Sequence, residues 1–201
     1  MPRPNYIEYR LGSQSAYVRA DKLKEIREVD VIVFDCDGVL IDVSESIRKA
    51  KGFVGKGRVL IADKALDWLE TLIGGPRFGV ASGSLADTAR HVLGDTLDRF
   101  DPAAQVWHDE VEAAERETGA SLRKPSPYPL LRASEPFKPY SRVLYVGDTV
   151  ADWLMAENAG EGFLFAGVAS NEETRSGLLD AGGAMVLASV NMLPTVLRLL
   201  K

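Results

Sequence analysis

Val31-Ile32-Val33-Phe34-Asp35-Cys36-Asp37-Gly38-Val39-Leu40 is an apolar run that ends abruptly in two carboxylates two residues apart. The run reads as a strand buried on both faces, the kind that sits centrally in a parallel sheet. Gly38 then lets the chain turn sharply off the strand end. Open α/β sheets bind ligands outside the carboxyl ends of their strands, so Asp35 and Asp37 fall where chemistry is expected. Two close carboxylates repel, and a bound cation is the simplest way to keep both ionised. Taken alone, an Asp-x-Asp also fits a solvated strand end or a divalent-ion site of another kind.

Three later segments narrow the reading. Phe78-Gly79-Val80-Ala81-Ser82-Gly83-Ser84 is a second apolar strand ending in a small hydroxyl residue. Arg123-Lys124-Pro125-Ser126-Pro127 places a lysine ahead of a proline-marked turn and a helix. Val143-Leu144-Tyr145-Val146-Gly147-Asp148-Thr149-Val150-Ala151-Asp152 is a third strand ending in acid, with another acid four residues on. In order these are Asp-x-Asp, Ser, Lys and Gly-Asp-x-x-x-Asp, each at or near a strand end. From about Val31 to the C-terminus the chain resembles the haloacid dehalogenase superfamily, in its phosphatase branch with a phosphoglycolate-phosphatase-like core.

The resemblance implies a role for each group. Asp35 would be the nucleophile that forms an aspartyl-phosphate, dividing one difficult displacement into two easier ones. Asp37 would be the general acid and base, and an acid at this second position is the phosphatase pattern within the superfamily. Mg²⁺ is the implied cofactor, held by Asp35, Asp148 and the Asp37 backbone carbonyl. Asp152 would bind a metal-bound water or orient Lys124. Ser82, the Gly83 N–H and Lys124 would hold the phosphoryl oxygens, where transferred charge spreads. Without that context Ser82 reads as a helix cap, Lys124 as a solvated lysine, and Asp148 and Asp152 as acids favoured by a helix N-terminus.

The rest of the composition sets bounds. A chain of 201 residues with 46% hydrophobic and 26% charged residues suits one globular α/β domain. A net charge of −5 gives no sign of nucleic-acid binding. The single cysteine, Cys36, excludes a disulfide or cysteine-zinc framework within the chain and reads as a buried spacer. No apolar run approaches a membrane span and no signal core opens the chain, so a cytoplasmic protein is expected. His91 and His108 lack metal-ligand spacing, and Trp68, Trp107 and Trp153 read as packing residues.

Alternating strands and helices predict a doubly wound, mainly parallel, Rossmann-like sheet over residues 29–201. Residues 1–28 read as an N-terminal extension: a hairpin around Leu11–Ser15, then a short helix from Ala20 to Arg27. Many relatives insert a large helical cap just after the first motif. Here the Ala62–Ile73 helix already belongs to the core, leaving residues 42–61 as a minimal cap or flap. A reduced or absent cap predicts an open site, covered by substrate bulk, a homodimer partner or the hairpin. That short segment carries Arg48, Lys49, Lys51, Lys56 and Arg58. Lys51, Lys56 and Arg58 are candidate contacts to a substrate with further negative charge, against the plainer reading of a solvated surface.

The expected activity is Mg²⁺-dependent hydrolysis of a phosphorylated small molecule through phospho-Asp35. The rivals are a phosphoryl-transferring mutase, which relies on a closing cap, and a catalytically idle binding module.

Overall fold

The computed structural model describes residues 4–42 and 57–201. Its central strand is the predicted one: β3 (Val29–Phe34) pairs in parallel with β6 (Phe78–Ala81) and with β8 (Arg142–Gly147). Beyond β6 lies β7 (Gln105–Val106), and beyond β8 lie β9 (Phe163–Val168) and β10 (Met185–Leu187), all parallel. The chain steps outward from β3 through β6 and β7, then returns to the other side of β3 as β8. That reversal leaves a crevice between the carboxyl ends of β3 and β8, where open sheets bind ligands.

Period-two alternation gives β3 its two buried faces. Ile32 and Phe34 enter one apolar layer, Val31 and Val33 the other. The first layer is closed by α1 (Leu23–Arg27), α2 (Asp63–Ile73), α3 (Ala86–Leu93) and α8 (Leu193–Leu200), through residues such as Ile26, Leu66, Leu93 and Leu197. Phe34, Phe78 and Phe100 meet there, with Phe34 edge-on to both partners at 6.0 and 5.7 Å. The second layer is closed by α4 (His108–Thr118), α5 (Tyr128–Ser134), α6 (Val150–Ala159) and α7 (Glu172–Ala181), through Val111, Leu130, Met155 and Leu178. Each such aliphatic side chain contributes roughly 1.5–3 kcal/mol by leaving water. Together they hold the strand ends, and hence the site, in register.

The N-terminal hairpin forms as expected, from β1 (Tyr6–Leu11) and β2 (Gln14–Arg19), and joins the edge of the main sheet. β2 pairs antiparallel with β10 and extends the main sheet to eight strands. The Tyr6 hydroxyl donates to the Gly183 and Leu179 carbonyls at 2.9 and 3.2 Å, fastening the outer strand. Strands β10, β9 and β8 separate β2 from β3. At about 4.8 Å per strand, that puts the hairpin at the far edge of the sheet and away from the crevice.

The expected flap has a base that short-range pattern did not reveal. β4 (Ile41–Asp42) pairs antiparallel with β5 (Arg58–Val59), and the Leu60 N–H donates to the Leu40 carbonyl at 2.8 Å. Two-residue strands are too short to carry a periodic signal. The helix expected between Ser44 and Lys51, and the basic residues Lys51 and Lys56, lie outside the described residues. Among the described residues, no helix is long and apolar enough to cross a membrane.

Candidate active site

Asp35 is the first residue past β3, and its N–H donates to the Val146 carbonyl at 2.8 Å, so it still belongs to the sheet. The chain then folds tightly: the N–H groups of Leu40 and Ile41 both donate to the Cys36 carbonyl, and Gly38 turns with a φ of +75°. A β-carbon at Gly38 would lie 2.0 Å from Asp148 Oδ2, so only glycine admits the Asp148 carboxylate at that point. Gly147 is cramped in the same way, because its β-carbon would meet that of Asp152 at 2.5 Å. Glycines at two strand ends thus let three carboxylates crowd together: oxygens of Asp35, Asp148 and Asp152 all lie within 4.8 Å of one another.

Lys124 enters from the loop between α4 and α5. Glu115 holds that loop by accepting the Leu122 and Arg123 N–H groups at 2.9 and 3.3 Å and the Arg123 guanidinium at 2.9 Å. Lys124 Nζ bridges two acids, at 2.8 Å from Asp35 Oδ1 and 2.7 Å from Asp152 Oδ1. Burial works against its ammonium, but Asp35 and Asp152 outweigh burial and hold its pKa above the ordinary lysine value.

Asp152 is 1% exposed and fully engaged. Besides Lys124, its Oδ1 accepts from the Tyr145 hydroxyl at 3.2 Å. Its Oδ2 accepts from the Thr149 hydroxyl at 2.7 Å and from the Thr149 and Asp148 N–H groups at 3.0 and 3.2 Å. Thr149 and Asp152 form a capping box that starts α6 and so aims the carboxylate back at the lysine. Burial favours its neutral form, yet Lys124 and Thr149 hold its pKa below the ordinary value. Both Asp152 oxygens thus face donors, which suits orienting Lys124, while the carboxylate also stays within 4.8 Å of those of Asp35 and Asp148.

Asp35 and Asp148 differ. Burial, then neighbouring acids, push Asp148 up to about 7. Burial likewise raises Asp35 to about 6, although Lys124 pulls it down. Apart from the contact to Lys124, the buried Asp35 Oδ1 has no hydrogen-bond partner among the described residues, and neither has Asp37 Oδ1. The crowded carboxylates of Asp35, Asp148 and Asp152 are what a hard divalent cation takes, so this donor set fits one, with the Asp37 side chain outside it.

The raised values make a prediction for the metal-free protein. Folded Asp148 keeps its proton up to about pH 7, whereas the unfolded chain releases it near 3.8. Its carboxylate therefore costs stability as the pH rises through that window and costs nothing below it. Asp148→Asn should stabilise the chelator-treated protein by about 2 kcal/mol at pH 8, discounted for the part that water reaches. That gain should fade toward pH 4. Thermal melts of both proteins across that range check it, and a pH-independent difference would refute the desolvation argument.

Ser82 follows β6 directly and is 3% exposed, with its N–H on the Val106 carbonyl at 3.0 Å. A cleft of about 290 Å³ opens beside it, lined by Gly83, His108, Val111, Arg123, Lys124 and Pro129. A larger cavity of about 440 Å³ lies at the opposite ends of the strands, where Arg142 and Phe163 begin β8 and β9, and holds none of these groups.

Asp35, Asp37, Ser82, Lys124, Asp148 and Asp152 are thus brought to one crevice, with Gly83 on its rim. Arg58 lies on β5, largely exposed and ion-paired with Asp42 at 3.3 Å. The sequence pattern did not mark Tyr145, Ser84 or Thr149; His108, without metal-ligand spacing, begins α4 and lines the cleft. A tyrosine within an aliphatic strand needs a partner for its hydroxyl, which was a usable signal. Ser84 offered only its place in the small-residue run Ser82-Gly83-Ser84.

Comparison with known proteins agrees with this architecture. Residues 55–160 match the model of the haloacid dehalogenase-like hydrolase family, a stretch that contains Ser82, Lys124, Asp148 and Asp152 and begins after Asp35 and Asp37. No curated protein matches the chain. Among solved structures, a haloacid dehalogenase-like protein of unknown function from Agrobacterium tumefaciens is similar at 21% identity and a TM-score of 0.56, over 85% of this chain and 98% of that one. A 3-deoxy-D-manno-octulosonate 8-phosphate phosphatase from Yersinia pestis is similar at 17% identity and a TM-score of 0.53, over 98% and 93%. Against a third structure, a structural-genomics target at 22% identity and a TM-score of 0.55, this chain spans only 43% of the other's length. At such identities the likeness is one of fold. The family match carries further, since it takes in more than half of the 201 residues, and this chain therefore belongs to the haloacid dehalogenase-like hydrolases.

Proposed function

We propose that the protein is a Mg²⁺-dependent phosphomonoester hydrolase acting on a small phosphorylated molecule through a phospho-Asp35 intermediate. The observation that carries this reading is the convergence on Asp35: Lys124 Nζ at 2.8 Å, with carboxylate oxygens of Asp148 and Asp152 within 4.8 Å. Asp35 and Asp148 would hold the metal, which when bound would neutralise phosphate charge beside the nucleophile.

The chain's own groups do the rest. An Asp35 oxygen attacks phosphorus as the bond from phosphorus to the leaving oxygen breaks, and protonated Asp37 gives its proton to that oxygen. Water then attacks the acyl phosphate while the Asp37 carboxylate takes its proton. The bond from phosphorus to Asp35 breaks, inorganic phosphate leaves, and both acids return to their starting states. Ser82 and Lys124 are donors to the phosphoryl oxygens, and Lys124 is kept charged and aimed by Asp152. The cleft beside Ser82 is at the small end of ligand-pocket sizes, which suits a metabolite better than a phosphoprotein. Lys51, Lys56 and Arg58 remain rim candidates for a substrate with a second negative charge.

Hydrolysis of an aryl phosphate tests the reading. Excess chelator should abolish turnover and added Mg²⁺ should restore it. Undiminished activity in chelator, or no phosphate release with any metal, would overturn it. Transfer of the phosphoryl group to a second hydroxyl in place of water would point to a mutase.

A further inference from the structure

Ser84 lies two residues past Ser82, in the turn between β6 and α3. Its Oγ donates to Asp37 Oδ2 at 2.5 Å and accepts from Ser82 Oγ at 3.1 Å. Its backbone is held on both sides: the N–H donates to Ser82 Oγ at 3.2 Å, and the carbonyl accepts from the His108 N–H at 3.1 Å. Among the described residues no other side chain makes a hydrogen bond to the Asp37 carboxyl, and its second oxygen, Oδ1, is buried without a partner.

With Oδ2 held by a donor, the carboxyl presents Oδ1 as the oxygen that has no partner among the described residues and can carry and release a proton. We propose that Ser84 is a positioning residue that locks the Asp37 carboxyl so that Oδ1 delivers the proton to the leaving oxygen. The inference rests on the phosphatase reading above. As the bond from Asp35 to phosphorus forms and the ester bond breaks, the Oδ1 proton moves to the departing alkoxide, yielding the alcohol. Asp37 is left as a carboxylate, and the Ser84 hydroxyl keeps its own proton while donating to Oδ2. A rigid donor matters because general acid catalysis demands close alignment with the departing oxygen.

The test compares an alkyl phosphate, whose alkoxide needs that proton, with para-nitrophenyl phosphate, whose phenolate does not. With Mg²⁺ present, kcat/KM is measured for both esters with the wild type, Ser84→Ala and Ser84→Thr. The alkyl-to-aryl ratio should fall by about tenfold or more in the alanine variant and stay within about threefold of wild type in the threonine variant. Both esters are read on one preparation, so the folded fraction cancels from the ratio. Should the alanine variant not fold, Ser84→Cys, with a weak donor, gives the same contrast. An unchanged ratio would overturn the positioning role while leaving the phosphatase reading intact. A wild type that hydrolyses neither ester would overturn both.

Discussion

Replacing Asp35 with asparagine is expected to lower kcat/KM for phosphomonoesters by at least about 10³-fold without unfolding the protein. The amide matches the carboxylate in shape, and the Asp35 N–H still donates to the Val146 carbonyl, so the strand end keeps its pairing. Lys124 retains Asp152 at 2.7 Å, so its charge stays partnered. What disappears is the proposed nucleophile, and with it one of the two carboxylates proposed to hold the metal. Thermal melts should therefore show a native-like protein while turnover collapses. Beryllium fluoride, which mimics a phosphoryl group on a carboxylate, should protect the wild type against heat and not the variant. Turnover within tenfold of wild type would exclude an aspartyl-phosphate on Asp35.

Lys124→Met is the second change with a large expected effect, and it should strike stability and activity together. The lysine pairs with two buried acids at once, and Asp152 is 1% exposed. Removing one member of such a buried ionic cluster costs on the order of 3–5 kcal/mol, because the partners are left charged and unsolvated. The cost should be greatest near pH 8 and shrink on acidification, since Asp35 and Asp152 can then take up protons. Turnover should fall by about 10²-fold or more, as when any fixed donor to developing charge is lost. Adding Asp152→Asn to the methionine variant should recover part of the stability and none of the activity. If the double variant is no more stable than the single one, Asp152 is not held by Lys124 as described.

These contacts mark where sequence reading stopped. The burial of β3 on both faces and the place of Asp35 at its end were legible, as were Ser82 after β6 and Asp148 after β8. Apolar runs, and the residues that end them, are properties of consecutive residues. The match between the expected and observed Ala62–Ile73 helix, within one residue at its start, has the same cause. The hairpin was legible too, but not its destination on β10, because that pairing joins residues more than 160 positions apart in the chain.

Within the site, the division falls along the same line. The sequence by itself determined which acids, which hydroxyl and which lysine stand at strand ends, and in what order. Only the tertiary structure decided their partners. Asp152 could be read as touching metal-bound water or as orienting Lys124, and its donors from Tyr145, Thr149 and Lys124 come from three separate places in the chain. Ser84 reaches Asp37 across 47 residues, and Tyr145 links Asp152 to the Ala81 carbonyl across 64. Such bonds exist because β6, β3 and β8 are neighbours, with Asp35 rooted between the other two. Hydrogen bonds act over about 3 Å, so they are set by strand adjacency, which no local pattern of residues encodes.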